Sequence, residues 1–161
     1  MNLEPLAQAD FAIQLHVAAA TGALALGSVV LFRRKGDRLH RLGGRVWVAL
    51  MVIVALSSFF IHELRVFGPW SPIHLVSLAT LWFLVDGVRL ARERRIVAHR
   101  RTMQGTFFGG LIVAGGFTFL PGRLMHEVML TELDGSWAAA LAIVICLWAF
   151  WTYRSSQRTR I

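Results

Sequence analysis

The chain has 161 residues, of which 56% are apolar, and its formal net charge is +8. A mean hydropathy of +0.58 and long uninterrupted apolar runs exclude an ordinary soluble domain and predict one integral membrane domain over residues 1–161. The single cysteine, Cys146, excludes an intramolecular disulfide and a CxxCH haem attachment, and we expect it to be a small apolar packing residue.

Five apolar segments approach the roughly 20 residues that a helix needs to cross a bilayer. In chain order they are residues 11–32, 46–61, 72–90, 103–120 and 137–153. The second and fifth are short, so we expect their helices to extend into the flanking residues. The N-terminal segment is acidic and no cleavage-like site follows the first apolar run, so a removable signal peptide is not expected.

The positive charges are concentrated in the loops expected on one side of the membrane. Fifteen of the 17 Lys and Arg residues lie in segments 33–45 and 89–101 and in the C-terminal tail. Arg65 and Arg123 lie in the alternate loops, where most acidic residues gather. The positive-inside rule therefore predicts an external N-terminus and a cytoplasmic C-terminus. The basic loops indicate contact with the lipid bilayer, and no recognition motif favours nucleic acid as a partner.

The six histidines form two matching sets, and their neighbours repeat as well. The sets are His16, His40 and His62, then His74, His99 and His126. Arginine follows the second member of each set, and glutamate follows the third. This pattern predicts a parallel duplication of one helical hairpin, with repeats at about residues 11–62 and 72–126. We expect an all-α integral membrane bundle, with a four-helix core from the two hairpins and a fifth peripheral helix at residues 137–153.

Such a duplication predicts two histidine couples. His16 would meet His74 near the outer surface, and His40 would meet His99 near the inner one. An unpaired polar group in hydrocarbon is costly, and two facing imidazoles suit the axial positions of a haem iron. The sequence therefore predicts two non-covalent haem b groups. A stripe of small residues below His16 indicates either a slot for the macrocycle or close helix packing, and so do the glycines of the fourth segment.

Arginines near each couple are candidates to bind haem propionates. The inner candidates are Arg41, Arg45, Arg100 and Arg101, and the outer ones are Arg65 and Arg123. Asp86 is expected to form an ion pair with Arg89, the alternative being acceptance of an imidazole N–H.

Two His-Glu pairs close the second and fourth segments at the outer face. We expect His62, Glu63, His126 and Glu127 to accept protons from a quinol or another reductant. Two alternatives stay open: the histidines are themselves ligands, or they anchor helix ends at the interface.

Several motifs together resemble an uncharacterised bacterial family of small predicted membrane proteins, a domain of unknown function. They are HRLGGRVWVALM, ALSSFFIHE, SPIHL, AHRRTM and PGRLMHE, and the resemblance covers about residues 12–130. It implies a multi-pass protein of the bacterial inner membrane. The order of His16, His40, His74 and His99 is also similar, more distantly, to the cytochrome b561 fold. That resemblance implies one haem between the first helices of the two hairpins, a second between their second helices, and electron transfer from ascorbate or quinol.

The chain is therefore predicted to be a membrane b-type cytochrome that transfers electrons within or across the bilayer, as a transmembrane oxidoreductase. Its partners would be a quinol or another membrane redox protein, and a homodimer stays open. One alternative is a protein that binds or transports copper or zinc through the outer histidines and glutamates. Another is an accessory subunit without a cofactor, whose last helix packs against a partner.

Overall fold

A computed structural model describes residues 3–61, 72–119 and 124–130, and every regular element in these ranges is helical. The helices are α1 (Glu4–Ala7), α2 (Phe11–Phe32), α3 (Arg38–Ser57), α4 (Pro72–Arg92), α5 (Ile96–Gly105), α6 (Ala114–Gly116) and α7 (Leu124–Leu130). A π-helical segment, Thr106–Val113, joins α5 to α6, and 3₁₀ turns at Ser58–Phe60 and Phe117–Phe119 follow α3 and α6. The expected fifth helix at residues 137–153 lies outside the described residues, as do His62, Glu63, Arg65 and Arg123.

Within the described ranges, three helices are long and apolar enough to cross a membrane. They are Phe11–Phe32, Arg38–Phe60 and His74–Arg92, with 22, 23 and 19 residues. The first three predicted spans are therefore confirmed, and the short second one extends toward its N-terminus as expected. Asp37 sets its start, because Asp37 Oδ1 accepts a hydrogen bond from the His40 backbone N–H at 2.6 Å.

The predicted fourth span, residues 103–120, differs from the sequence expectation. Helix α5 begins earlier, at Ile96, and the helix changes to π geometry at Thr106 and to a 3₁₀ turn at Phe117. The adjacent Gly109 and Gly110 lie inside the π segment, where they weaken the preference for regular α geometry. The apolar run alone could not reveal this change of pitch, because hydropathy does not depend on helix type.

The helices pack around a shared apolar cluster. Helix α2 contacts α3, α3 contacts α4, α4 contacts α5, and the π segment contacts both α4 and α2. The cluster consists of Ala23, Trp47, Met51, Leu84, Phe107 and Leu111. Its members come from α2, α3, α4 and the π segment, so one core joins the two halves of the chain.

The small residues of α2 admit aromatic rings. Trp47 Nε1 donates a hydrogen bond to the Ala23 carbonyl at 3.0 Å. A Cβ atom added at Gly27 would clash with Trp47 Nε1 and would lie 2.7 Å from Phe107 Cε2. This part of the stripe therefore permits close packing, which is one of the two uses expected from the sequence.

The outward faces of the spanning helices are apolar. Exposed side chains include Val29 on α2, Ile53 and Leu56 on α3, and Trp82 and Val85 on α4. Such a surface would be unfavourable in water and is suited to lipid tails. These faces mark the chain as a membrane-embedded protein that contacts lipid.

Candidate functional site

The inner histidines lie in the first turns of two different helices. His40 is the third residue of α3, and His99 is the fourth residue of α5. The charge of His99 acts on His40, so the two side chains are within electrostatic range of each other. No direct contact between the two rings follows from this, and the predicted inner couple stays a prediction.

Hydrogen bonding determines which nitrogen of His99 carries a proton. His99 Nδ1 lies 2.7 Å from the carbonyl oxygen of Gly87 in α4. A carbonyl only accepts, so Nδ1 is the donor, and in neutral His99 the lone pair is on Nε2. Histidines that ligate metals commonly donate their second ring N–H to a carbonyl in this way.

His40 has an unusual ring nitrogen. Its Nδ1 is buried and has no hydrogen-bond partner among the described residues. The ring also lies within hydrogen-bonding range of the Val30 carbonyl in α2. A buried nitrogen without a partner costs free energy, so this atom is suited to receive a ligand.

Positive charge concentrates around this couple. Arg41, Arg45, Arg100 and Arg101 are exposed, which makes them available to carboxylates. Burial lowers the pKa of the Lys35 ammonium, and the charge of Arg100 lowers it further. Arg100 thus lies close enough to Lys35 for their charges to repel each other.

At the other end of the spanning helices, His16 contacts Ser57 of α3. His16 Nδ1 lies 3.0 Å from Ser57 Oγ, which itself lies 2.7 Å from the Ile53 carbonyl. Because the hydroxyl hydrogen goes to that carbonyl, Ser57 Oγ accepts from His16 Nδ1. His16 therefore resembles His99: each ring donates through Nδ1 to an oxygen on the neighbouring helix.

His74 is 3% exposed and stacks on Phe59, with ring centroids 5.5 Å apart and an interplanar angle of 11°. A small cavity of about 70 Å³ lies beside His16. Its lining also includes hydroxyl groups from α4 and from the two 3₁₀ turns. His74 does not line this cavity.

The surroundings of the two predicted couples differ. Cofactor pockets commonly measure about 300–1,000 Å³. The cavity beside His16 is smaller than this, and His16 lines it whereas His74 does not. At the inner couple, His99 has a fixed tautomer and His40 has a buried nitrogen without a partner among the described residues.

The other residues predicted from the sequence to be functional lie outside the two histidine couples. Arg89 donates to Asp86 Oδ1 at 2.7 Å, which confirms the expected ion pair. His126 lies in α7, a helix that contacts α1, whereas the side chain of Glu127 lies outside the described residues. The proposed proton-accepting group of His62, Glu63, His126 and Glu127 therefore stays a prediction.

Sequence reasoning missed the residues that orient the histidines. Ser57 and the Gly87 carbonyl receive the two Nδ1–H groups, and Ser58 in the 3₁₀ turn after α3 bonds to Ser77 of α4 at 2.6 Å. The adjacent serines in the apolar run of α3 were a usable signal, since hydroxyls in a span commonly bond across helices. Gly87 gave no such signal, because the hydrogen bond is accepted by its backbone carbonyl, which every residue has.

The fold and its histidines define a helical membrane protein with polar groups held between its spans. The family model described as Predicted membrane protein (DUF2306) matches residues 13–152, and the chain belongs to this family. No curated protein and no solved structure matches the chain.

Proposed function

We propose that this protein is a membrane electron carrier that binds haem b non-covalently between His40 and His99. The observation that carries the proposal is the hydrogen bonding of the two imidazole rings. His99 is fixed by the Gly87 carbonyl with Nε2 as its basic nitrogen, and His40 lies within electrostatic range with an unpartnered buried Nδ1. Two imidazoles from different helices suit a haem iron.

At the inner couple, the number of available ligands favours haem over a single zinc or copper ion. Porphyrin occupies four positions on its iron, so the protein needs to supply only two ligands. A protein zinc site commonly uses three or four side chains. Within residues 3–61, 72–119 and 124–130, no group of three His, Cys, Asp or Glu side chains is placed to hold a metal ion.

The residues around the couple would each have a defined task. The Gly87 carbonyl orients His99. Arg41 and Arg100 directly follow the two histidines, Arg45 lies one turn further along α3, and all three are exposed, so they would bind propionates. The buried core around Trp47 and Phe107 excludes water from the side facing the membrane interior. Haem, when bound, supplies one-electron oxidation and reduction at its iron.

The finer architecture belongs to the same proposal. The contacts from α2 through α3 and α4 to the π segment, and back to α2, support a four-helix core of two parallel hairpins. The charge distribution supports a cytoplasmic location for the inner couple. A quinol or a membrane redox protein as partner stays a prediction, as does a second haem between His16 and His74.

The absorption spectrum of the purified protein tests the proposal. We expect a Soret band, reduced alpha and beta bands, and release of haem b by pyridine. His40→Ala and His99→Ala should each lose these bands and still elute as the folded species in size-exclusion chromatography. His16→Ala and His74→Ala are the matched histidine variants, and both should keep the inner haem.

Three outcomes would contradict the proposal. They are a colourless wild-type protein, haem that persists in both His40→Ala and His99→Ala, and equal loss from all four histidine variants. A colourless protein that contains copper or zinc by elemental analysis would support the metal alternative. Partial loss in His16→Ala and His74→Ala alone would place a haem at the outer couple instead.

A further inference from the structure

We propose that the turn between α4 and α5 binds the phosphate group of an anionic phospholipid. The turn borders a shallow depression with a volume of about 580 Å³. Arg94, Arg95 and Arg101 line it, together with the first turn of α5. Three guanidinium groups around one depression are suited to a phosphate, which accepts paired hydrogen bonds from arginine.

The backbone of this turn places an arginine where glycine is usual. The Arg95 N–H bonds to the Leu90 carbonyl at 2.9 Å, and the Arg94 N–H bonds to the Ala91 carbonyl at 3.2 Å. These two bonds form a Schellman motif at the end of α4. Arg94 has a φ of 59°, the left-handed conformation that glycine adopts at the least cost. Arginine therefore adopts this conformation at a higher cost in free energy than glycine would.

The described residues do not balance the charges of the turn. Glu93 is the single acidic residue of segment 89–101 and is shared between Arg89 and Arg95, each at 3.8 Å. Neither Arg94 nor Arg101 forms an ion pair within the described part of the chain. An external anion would therefore compensate two arginines that have no acidic partner among the described residues.

Neighbouring apolar side chains favour a lipid over free phosphate. Ile96 and Val97 also line the depression and are 57% and 69% exposed. They directly follow the turn that ends the spanning helix His74–Arg92, so they lie at the level where headgroups meet acyl chains. Arginines for the phosphate and aliphatic groups for the chains match the two parts of an anionic phospholipid.

Lipid binding to the detergent-purified full chain tests this site. Native mass spectrometry would compare phosphatidylglycerol with phosphatidylcholine on the wild type and on the triple variant Arg94→Gln, Arg95→Gln, Arg101→Gln. We expect the variant to lose about tenfold or more in phosphatidylglycerol affinity, since each cation near an anionic lipid contributes roughly a factor of five. The matched control removes three exposed arginines of the same membrane face, Arg34→Gln, Arg38→Gln and Arg92→Gln. This control should lose no more than about threefold.

A second variant separates lipid binding from folding. Arg94→Gly suits the left-handed backbone, so the protein should fold at least as well as the wild type while its preference for phosphatidylglycerol falls. The proposal is overturned if both triple variants lose affinity equally, because net charge alone would then explain binding. It is also overturned if the wild type shows no preference for phosphatidylglycerol, or if inorganic phosphate displaces the lipid at equal concentration.

Discussion

At the scale of single residues, Asp37 shows how one carboxylate positions a candidate ligand. Its Oδ1 accepts the His40 backbone N–H at 2.6 Å, and its Oδ2 accepts from Arg33. The hydrogen bond from His40 lowers the pKa of Asp37, and the bond from Arg33 lowers it further. The cap thus fixes the first turn of α3, the turn that carries His40.

This lowered pKa predicts a dependence of stability on pH. A carboxylate with a lowered pKa in the folded state stabilises the fold fully above its unfolded pKa of about 3.9, and this contribution is lost as pH falls through the folded pKa. Asp37→Asn keeps a capping oxygen but cannot titrate. Wild type should therefore melt at a higher temperature than Asp37→Asn at pH 7, and the difference should shrink below about pH 4.

Thermal unfolding in detergent at pH 7, 5 and 3 measures this difference. Asp10→Asn is the matched control for removal of a carboxylate, because Asp10 precedes α2 without a side-chain capping bond. A difference between wild type and Asp37→Asn that does not change down to pH 3 would contradict the role assigned to Asp37.

At the scale of helices, close approach between α2 and α3 depends on particular small residues. Gly27 lies against Trp47 and Phe107, whereas a Cβ atom added at Gly22 would lie 3.5 Å from Leu50 Cδ1, an ordinary contact. Both glycines lie in the same helix, but only one of them lies against the aromatic rings. The effect of a methyl group therefore depends on which face of α2 it occupies.

This contrast predicts opposite effects for two similar substitutions. Gly27→Ala should destabilise the protein by about 1–3 kcal/mol, because the new methyl group overpacks the core. Gly22→Ala should be neutral or stabilise by up to about 1 kcal/mol, since alanine favours a helix over glycine. Thermal unfolding of both variants in the same detergent measures the contrast. Equal effects would mean that Gly27 is not a packing position.

The helix that carries His99 combines three geometries. It begins as α5, becomes π-helical at Thr106 and ends in a 3₁₀ turn at Phe117–Phe119. The π segment supplies Phe107 and Leu111 to the core and Gly110 to the wall of the cavity beside His16. π-Helical turns are common at functional sites, because the altered pitch changes which side chains share a face.

At the scale of the whole molecule, the asymmetric charge predicts the orientation in the membrane. Gln8 precedes the first span and Arg34 follows it, and both are exposed. In a Cys146→Ser background, Gln8→Cys should react with a membrane-impermeant maleimide in intact cells. Arg34→Cys should react only after lysis. The reverse pattern would place the basic loops outside and contradict the proposed location of His40 and His99.

The sequence by itself determined the class of protein, the first three spans and the ion pair between Asp86 and Arg89. These features depend on local quantities: the length of an apolar run, or a spacing of three residues along one helix. The sequence also singled out His40 and His99 as a couple, because the residues around them repeat.

Tertiary structure alone decided what those histidines contact. Ser57 orients His16, and the Gly87 carbonyl orients His99. Trp47 and Phe107 occupy the space beside Gly27. All three contacts depend on the rotation and separation of neighbouring helices. The change to π geometry at Thr106 likewise cannot be predicted from hydropathy. Apolar patterns determine that a helix lies in the membrane, whereas short-range packing and directional hydrogen bonds determine which of its side chains meet.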